Sequence, residues 1–117
     1  MVAITLGEHG AYVKVTASEL RLQEGGRLAW QAAEWAGQET LLPPYPLQAG
    51  AEANTNGAGD AFIAGLVAAM LCRTRKLSLK QATSFALLAA RYVRWFRGWR
   101  ACNGSDDILY LVFFKHA

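Results

Sequence analysis

One long apolar run dominates the pattern of hydrophobic and polar positions. Residues 61–71 are apolar without interruption and rich in alanine, which predicts a buried helix over residues 59–72. Its side chains fill two adjacent faces, one formed by Phe62, Leu66 and Ala69 and the next by Ile63, Val67 and Met70. A helix that is apolar nearly all round is typical of a central position in a layered domain, so we expect burial on both faces.

A second helix is predicted from residue 78 onward. Ser78-Leu79-Lys80-Gln81 has the spacing of a capping box, in which Gln81 reaches back to the Ser78 amide. The positions expected to be buried recur at helical spacing and are Ala82, Phe85, Ala89, Tyr92, Val93 and Phe96. Gly98 is expected to end this helix.

The N-terminal residues predict a β-hairpin. Residues 2–6 are short, apolar and rich in β-formers, which predicts a buried strand, and residues 11–15 fit its return strand. Residues 7–10 predict the turn between them, with His9 exposed. Because a central strand has neighbours on both sides, we expect further strands before this one in a complete domain.

The remaining segments are less regular. Residues 29–36 fit a short helix in which Trp30 and Trp35 pack. The prolines within residues 43–46 favour an extended linker, which leads to a short strand at residues 51–53. Near the C-terminus, the apolar residues 108–114 fit a buried strand or an exposed edge.

Composition narrows the class of protein. A chain of 117 residues, just over half of them apolar, forms at most one domain. Its net charge of +3 fits an anionic ligand such as a nucleotide and is too small to indicate nucleic acid by itself. Cys72 and Cys102 form no metal motif and are expected to be free thiols. We expect a cytoplasmic protein, because the sequence shows neither a secretion signal nor an apolar run of about 18 residues.

The stretch Asn54-Thr55-Asn56-Gly57-Ala58-Gly59-Asp60-Ala61-Phe62 carries the candidate chemistry, where a loop becomes the first long helix. Glycines let the backbone approach a ligand closely, and the first amides of a helix lack intrahelical partners. A phosphate is therefore expected at Gly57, Ala58 and Gly59. Asp60 fits either a general base that takes a proton from an attacking hydroxyl or a simple complement to the helix dipole. Spacing alone leaves both interpretations open.

This stretch, continued by Ile63-Ala64-Gly65-Leu66, resembles the signature of the PfkB (ribokinase-like) carbohydrate and nucleoside kinases, usually Asp-Thr-x-Gly-Ala-Gly-Asp-x-Phe. The resemblance implies an α/β fold of the ribokinase-like three-layer α/β/α type. Residues 1–117 would form its C-terminal nucleotide-binding portion, with a few strands, two main helices and a divergent tail at residues 99–117. It also implies that Asp60 is the catalytic base and that the backbone of Gly57, Ala58 and Gly59 forms the anion hole.

A second segment, Thr5-Leu6-Gly7-Glu8-His9-Gly10, resembles the family's Thr-x-Gly-x-x-Gly motif beside the nucleotide, with Thr5, Gly7 and Gly10 at the matching positions. The resemblance implies ATP and Mg²⁺ as cofactors and a small sugar or nucleoside as substrate. Asn54 stands where the family usually has an aspartate that helps to hold a monovalent cation, and its lack of charge weakens the case for K⁺. The family's Asn-x-x-Glu metal motif and its sugar-binding residues are not found in this sequence, so we expect a fragment or truncated paralogue with an incomplete active site.

Three functions stay open on the sequence alone. The first is an ATP-dependent phosphotransferase acting on an alcohol group of a sugar or nucleoside, and the second is a catalytically inactive nucleotide-binding or regulatory module of the same fold. The third is a basic RNA-binding domain that uses the arginines at positions 91, 94, 97 and 100 with their aromatic neighbours. A solvated helix face, whose arginine stems cover those aromatics, explains the same pattern. Exposed apolar surface would allow a homo-oligomer.

Overall fold

The protein is described here by a computed structural model that covers residues 1–24, 26, 32–46, 56–72 and 74–96. In chain order the elements are β1 (Val2–Thr5), a 3₁₀ turn (Gly7–His9), β2 (Ala11–Lys14), α1 (Glu19–Glu24), α2 (Ala32–Trp35), β3 (Glu39–Leu42), α3 (Ala58–Leu71) and α4 (Leu79–Phe96). Several expectations fall outside the described residues: Trp30, Asn54, the strand at 51–53, Gly98, Cys102 and the tail at 99–117.

The strands form one antiparallel sheet in the order β1-β2-β3. The predicted hairpin is confirmed, since β1 pairs with β2 from Val2 opposite Lys14 to Thr5 opposite Ala11. Strand β3, which the sequence did not predict, pairs with the other edge of β2, and Ala11 lies opposite Leu42. Side chains alternate between two faces of this sheet, and Ala11 and Val13 of β2 point into the core, where both are fully buried.

The prediction that residues 2–6 form a buried strand is wrong, whereas a central position of this strand in a complete domain stays a prediction. β1 pairs with β2 alone and lies at the edge of the sheet in the part of the chain that the structure describes. Val2 and Ile4 are 56% and 47% exposed, because they lie on the face of the sheet opposite the core. Only Ala3 of this strand packs against the core.

The core lies between the sheet and the two long helices. α4 packs against β2 and β3, and α3 packs along α4. Phe62 is the largest side chain that is fully buried, and it joins the inner face of the sheet to the helix pair. Burial of a phenylalanine contributes about 2–3 kcal/mol of hydrophobic free energy, so this residue anchors α3.

α3 is confirmed as a helix, but the expectation that both of its apolar faces are buried is wrong. Phe62, Leu66 and Ala69 are buried with Gly65, whereas Ile63 and Val67 of the second face are 49% and 44% exposed. α4 packs along one side of α3, and Met70 of the second face is half-buried against the core. The exposed face agrees with the expected apolar surface, and self-association through it stays a prediction.

Gly65 explains how closely the two helices approach. A Cβ built at this position would lie 3.0 Å from the Ala86 Cα and 3.0 Å from the Ala89 Cβ. These distances are shorter than ordinary van der Waals contact, so glycine is the residue that fits between α3 and α4 without displacing either helix.

The start of α4 follows the predicted capping box. The Ser78 amide donates to Gln81 Oε1 at 3.0 Å, and the Gln81 amide donates to Ser78 Oγ at 3.2 Å. The buried face is shifted from the predicted one and contains Leu79, Ala82, Thr83, Ala86 and Leu87, whereas Phe85, Ala89 and Tyr92 are half-buried. Thr83 is satisfied inside the core, because its hydroxyl donates to the Leu79 carbonyl at 2.8 Å.

Two short helices connect β2 to β3. α1 was not predicted; it begins after Ser18, whose hydroxyl accepts a hydrogen bond from the Arg21 amide. α2 confirms a helix within residues 29–36, and its Trp35 is buried. The Trp35 indole donates to the Leu77 carbonyl at 2.7 Å, which ties α2 to the loop before α4.

The described residues therefore form an α/β unit of two layers, a sheet and the helices on its inner face. A third layer, as the ribokinase-like fold implies, is not present among these residues. No helix in the described part of the chain has the length and apolar character needed to cross a membrane.

Candidate functional site

A cleft opens between the β1–β2 turn, the start of α3 and the second half of α4. Four segments that are distant in sequence form its walls. The lining residues are Thr5, Gly7 and Gly10; Pro44 and Tyr45; Ala58, Gly59 and Phe62; and Leu87, Ala90 and Arg91. The cleft thus brings all three predicted nucleotide-binding residues next to two of the three predicted anion-hole residues.

The start of α3 has the geometry of an anion-binding helix terminus. Gly57 precedes the helix in the left-handed region, with φ 80° and ψ 0°, a conformation that glycine adopts without strain. The first hydrogen bond of the helix runs from the Ala61 amide to the Gly57 carbonyl, at 2.9 Å. The amides of Ala58, Gly59 and Asp60 precede that bond, so the helix itself supplies no acceptor four residues back for them.

Two glycines leave bare backbone on the cleft wall. A Cβ at Gly7 or at Gly59 would meet no other heavy atom within 4 Å, and both residues line the cleft. The space beside them is therefore open to a ligand, and the backbone can approach a phosphate or sugar there.

Gly10 has a structural reason to be glycine. Its φ is +93°, and a Cβ there would lie 1.8 Å from the Leu42 carbonyl oxygen. The Gly10 carbonyl also accepts a hydrogen bond from the Leu6 amide at 2.8 Å, which closes the turn. Gly10 therefore lets the turn pack closely against β3, and this structural role is separate from any contact with a ligand.

Asp60 lies in the first turn of α3 and is exposed. It directly follows Gly59 but is not among the residues that line the cleft. Its role as catalytic base stays a prediction. Gly57 likewise lies beside the cleft rather than in its lining, and Asn54, the predicted ligand of a monovalent cation, falls outside the described residues.

Sequence reasoning missed the wall formed by Pro44 and Tyr45. The proline-rich segment was expected to be a plain linker, but Tyr45 is half-buried and its hydroxyl lies 2.6 Å from that of Ser84 on α4. An aromatic residue between prolines was the available signal, because an extended segment with a large side chain often packs onto a neighbouring helix. Pro44, Tyr45, Leu87 and Ala90 together make one side of the cleft apolar.

Arg91 was assigned to a basic stripe on a solvated helix face, yet it is one of the residues that line the cleft and is half-buried. Among the described lining residues, it is the one with a charged side chain. The side chain of Arg94 and residues 97 and 100 fall outside what the structure describes, so the rest of the stripe stays untested.

The described residues contain no cluster of three histidine, cysteine, aspartate or glutamate side chains that would hold a metal ion. They do not fit a magnesium site formed by the protein itself, since that ion takes several oxygen ligands in octahedral geometry. We therefore derive no catalytic step from a metal.

Two ionisable groups with shifted pKa values, those of Tyr12 and Glu39, lie away from the cleft. On the outer face of the sheet, the Tyr12 hydroxyl donates to Glu39 Oε2 at 2.7 Å, and Lys14 Nζ lies 3.4 Å from the same oxygen. The hydroxyl and then the ammonium group lower the pKa of Glu39, and the shared hydrogen bond raises the pKa of Tyr12. None of these residues lines the cleft, so they form a cross-strand contact rather than catalytic machinery.

Comparison with known proteins identifies a family for this chain. A search of curated proteins and a search of solved structures each found no match. Residues 1–103 of the 117-residue chain match the family described as pfkB family carbohydrate kinase, a match that includes every element and every cleft residue given above. The chain therefore belongs to the pfkB carbohydrate kinase family.

Proposed function

We propose that this chain carries the nucleotide cleft and the catalytic base of an ATP-dependent phosphotransferase whose acceptor is an alcohol group of a sugar or nucleoside. One observation supports this most strongly. Thr5, Gly7 and Gly10 line the same cleft as Ala58 and Gly59, although the two segments are about fifty residues apart in sequence. This is the arrangement that the family resemblance implies for a nucleotide-binding cleft.

The phosphate end of the nucleotide is assigned to the start of α3. The amides of Ala58, Gly59 and Asp60 come before the first hydrogen bond of the helix, and the helix dipole adds positive potential at the same place. Charge that develops on the transferred phosphoryl oxygens would be stabilised by these fixed donors without reorganisation. In phosphoryl transfer, positioning and electrostatic stabilisation of this kind supply most of the rate enhancement.

The apolar side of the cleft, formed by Pro44, Tyr45, Leu87 and Ala90, is assigned to the base and ribose. Ligand sites commonly combine such a surface with a few polar groups that fix orientation. Mg²⁺ would enter with the triphosphate of the substrate, because the described residues offer no metal site of their own. The same proposal places the reaction in the cytoplasm, where ATP and free sugars occur together.

Asp60 is assigned the proton transfer. Its carboxylate accepts the proton of the acceptor hydroxyl while the hydroxyl oxygen forms a bond to the γ-phosphorus. The bond from that phosphorus to the bridging oxygen breaks, and ADP leaves. An exposed carboxylate next to the anion-binding amides is accessible to an acceptor that arrives from solvent. General bases of this kind contribute about 10²–10⁴-fold to a rate.

The test is transfer from ATP to a panel of sugars and nucleosides, followed by ³¹P NMR, with Asp60→Asn and Glu19→Gln as a matched pair. Both variants remove one exposed first-turn carboxylate, from α3 and α1 respectively. Asp60→Asn should lower turnover about 100-fold or more, and Glu19→Gln should leave it unchanged. Equal and measurable rates in the two variants would remove Asp60 from the mechanism.

A second candidate is a nucleotide-binding module without catalysis. It is favoured by the position of Asp60, which lies beside the cleft lining and not within it. ATP binding with no transfer to any member of the panel would support this candidate. ATP binding with transfer that Asp60→Asn abolishes would support the enzyme.

A further inference from the structure

Arg91 lies at the same end of the helix pair as the start of α3. Gly65 of α3 meets Ala86 and Ala89 of α4, and the cleft brings Gly59 and Phe62 of α3 next to Leu87, Ala90 and Arg91 of α4. The start of α3 therefore lies at the same end of the helix pair as the C-terminal part of α4. Gly59 lies about 9 Å before Gly65 along its helix, and Arg91 lies about 3 Å beyond Ala89 along the other, at 1.5 Å per residue.

The charge of Arg91 has no partner in the described part of the chain. The structure shows no ion pair and no hydrogen bond between its guanidinium group and any of those residues. No carboxylate lines the cleft, and Asp60, the acidic residue closest to the anion-hole segment, makes no ion pair with Arg91. Arg91, which is half-buried, and the positive end of α3 therefore both border one cavity, and none of the described residues that line it is acidic.

The chemistry of the group selects the ligand. A guanidinium group offers a planar fork of N–H donors that matches two oxygens of a phosphate, and it remains charged at any physiological pH. Leu87, one helical turn before Arg91, is buried and lines the same cleft. An uncharged base or sugar would leave this cation unpaired.

We infer that Arg91 binds the phosphate chain of a nucleoside di- or triphosphate and makes the cleft selective for nucleotides over uncharged nucleosides. The inference rests on the proposed function, because it assigns a role within the same cleft. It replaces the solvated-face interpretation of Arg91 with a role in selecting the ligand.

Isothermal titration calorimetry of the folded chain with ATP, ADP and adenosine tests this inference. Arg91→Met removes the charge and keeps an unbranched apolar stem, and Arg75→Met is the matched control. Arg75 is exposed in the loop that joins α3 to α4, at the far end of α3 from the cleft. Its replacement by methionine changes the net charge by the same amount as Arg91→Met.

Arg91→Met should weaken ATP and ADP binding about 10- to 100-fold, the usual effect of losing a hydrogen-bonded charge, and leave adenosine binding within about twofold. Arg75→Met should bind all three ligands like the unmodified chain. Arg91→Lys should fall between Arg91→Met and the unmodified chain, since it keeps the charge and loses the fork. Raising the salt concentration should weaken ATP binding more steeply for the unmodified chain than for Arg91→Met.

Three results would overturn the inference, and they differ in what they say about the proposed function. If Arg91→Met binds ATP like the unmodified chain, Arg91 is not a ligand contact, and the proposed function stands. If Arg91→Met loses ATP and adenosine equally while its circular dichroism is unchanged, the residue shapes the cleft without selecting phosphate. If the unmodified chain binds no nucleotide, the proposed function and this inference both fail.

Discussion

The hydroxyl of Tyr45 lies 2.6 Å from the hydroxyl of Ser84, and this hydrogen bond fixes the proline-rich segment to the middle of α4. The segment thereby forms one wall of the cleft. Its Pro44 and Tyr45 line the same cleft as Gly7 and Gly10 of the β1–β2 turn, although the two segments are far apart in sequence. Tyr45 also packs against the core, so the same residue contributes to folding and to the shape of the cleft.

We expect Tyr45→Phe to lower the free energy of unfolding by about 0.5–1.5 kcal/mol, because it removes one partner of a half-buried hydrogen bond. It should also weaken ATP binding, since the wall loses its attachment to α4. Urea denaturation and calorimetry measure the two effects. Tyr12→Phe is the matched control: its hydroxyl bonds Glu39 on the outer face, so ATP affinity should not change. Equal ATP affinity for Tyr45→Phe and the unmodified chain would contradict the assignment of this wall.

The two glycines of the β1–β2 turn should respond differently to alanine. Gly10→Ala places a Cβ 1.8 Å from the Leu42 carbonyl oxygen at a positive φ, so we expect a loss of roughly 3 kcal/mol or more in unfolding free energy. Gly7→Ala meets no atom within 4 Å and should cost only about 1–2 kcal/mol, from its φ of +59°. Thermal unfolding of both variants measures the two losses in unfolding free energy. A Gly10→Ala chain as stable as Gly7→Ala would mean that the turn does not contact β3 in this way.

Neighbouring positions on α3 test which of its faces is buried. Leu66→Ala should cost about 3 kcal/mol, because the side chain is 2% exposed and its loss leaves a cavity. Val67→Ala should change stability by no more than about 0.5 kcal/mol, since its side chain is 44% exposed. Denaturant titrations give both values. Similar costs at the two positions would indicate that a partner, such as a second copy of the chain, covers the exposed face in solution.

The thiol of Cys72 should titrate at a lower pH than an ordinary cysteine. The hydrogen bond with the Thr74 hydroxyl, 3.4 Å away, lowers the pKa of this thiol by favouring the thiolate. A pKa that is lower in the folded chain contributes stability above the unfolded pKa, and that contribution is lost as the pH falls through the folded pKa. In a Cys102→Ser background, the rate of alkylation by iodoacetamide should reach half its maximum at a lower pH than for the unfolded chain.

Thr74→Val should move that midpoint upward, and Thr74→Ser, which keeps the hydroxyl, should not. A midpoint that is the same in all three proteins would show that the hydroxyl does not act on the thiol.

The elements that sequence predicted well are those whose signals are local. The capping box at Ser78 and Gln81 is contained in four residues. The helix after Gly59 is predicted by its own apolar, alanine-rich composition. Strand β3 was missed because Glu39–Leu42 shows no alternation of its own and is defined by pairing with β2. The buried face of α3 was misjudged for a similar reason: a helix that is apolar all round does not reveal which side its partner will cover.

The candidate site divides in the same way. Thr5, Gly7, Gly10 and the Gly57–Gly59 segment belong to short motifs that sequence resemblance identifies. Tyr45 and Arg91 carry no motif, and they enter the cleft only because α4 packs against both the sheet and α3. Their contribution could be seen only after the segments were brought together in space.

The most direct measurement of the central claim is a ¹H–¹⁵N correlation spectrum of the chain titrated with ATP. The account predicts that the largest amide shifts occur at Gly7, Gly10, Ala58, Gly59 and Asp60, on the two segments that meet at the cleft. Adenosine should shift the residues of the apolar wall and leave the amides of Ala58 and Gly59 nearly unchanged. A spectrum that does not change with ATP, or one whose shifts are confined to residues beyond position 91, would contradict the claim.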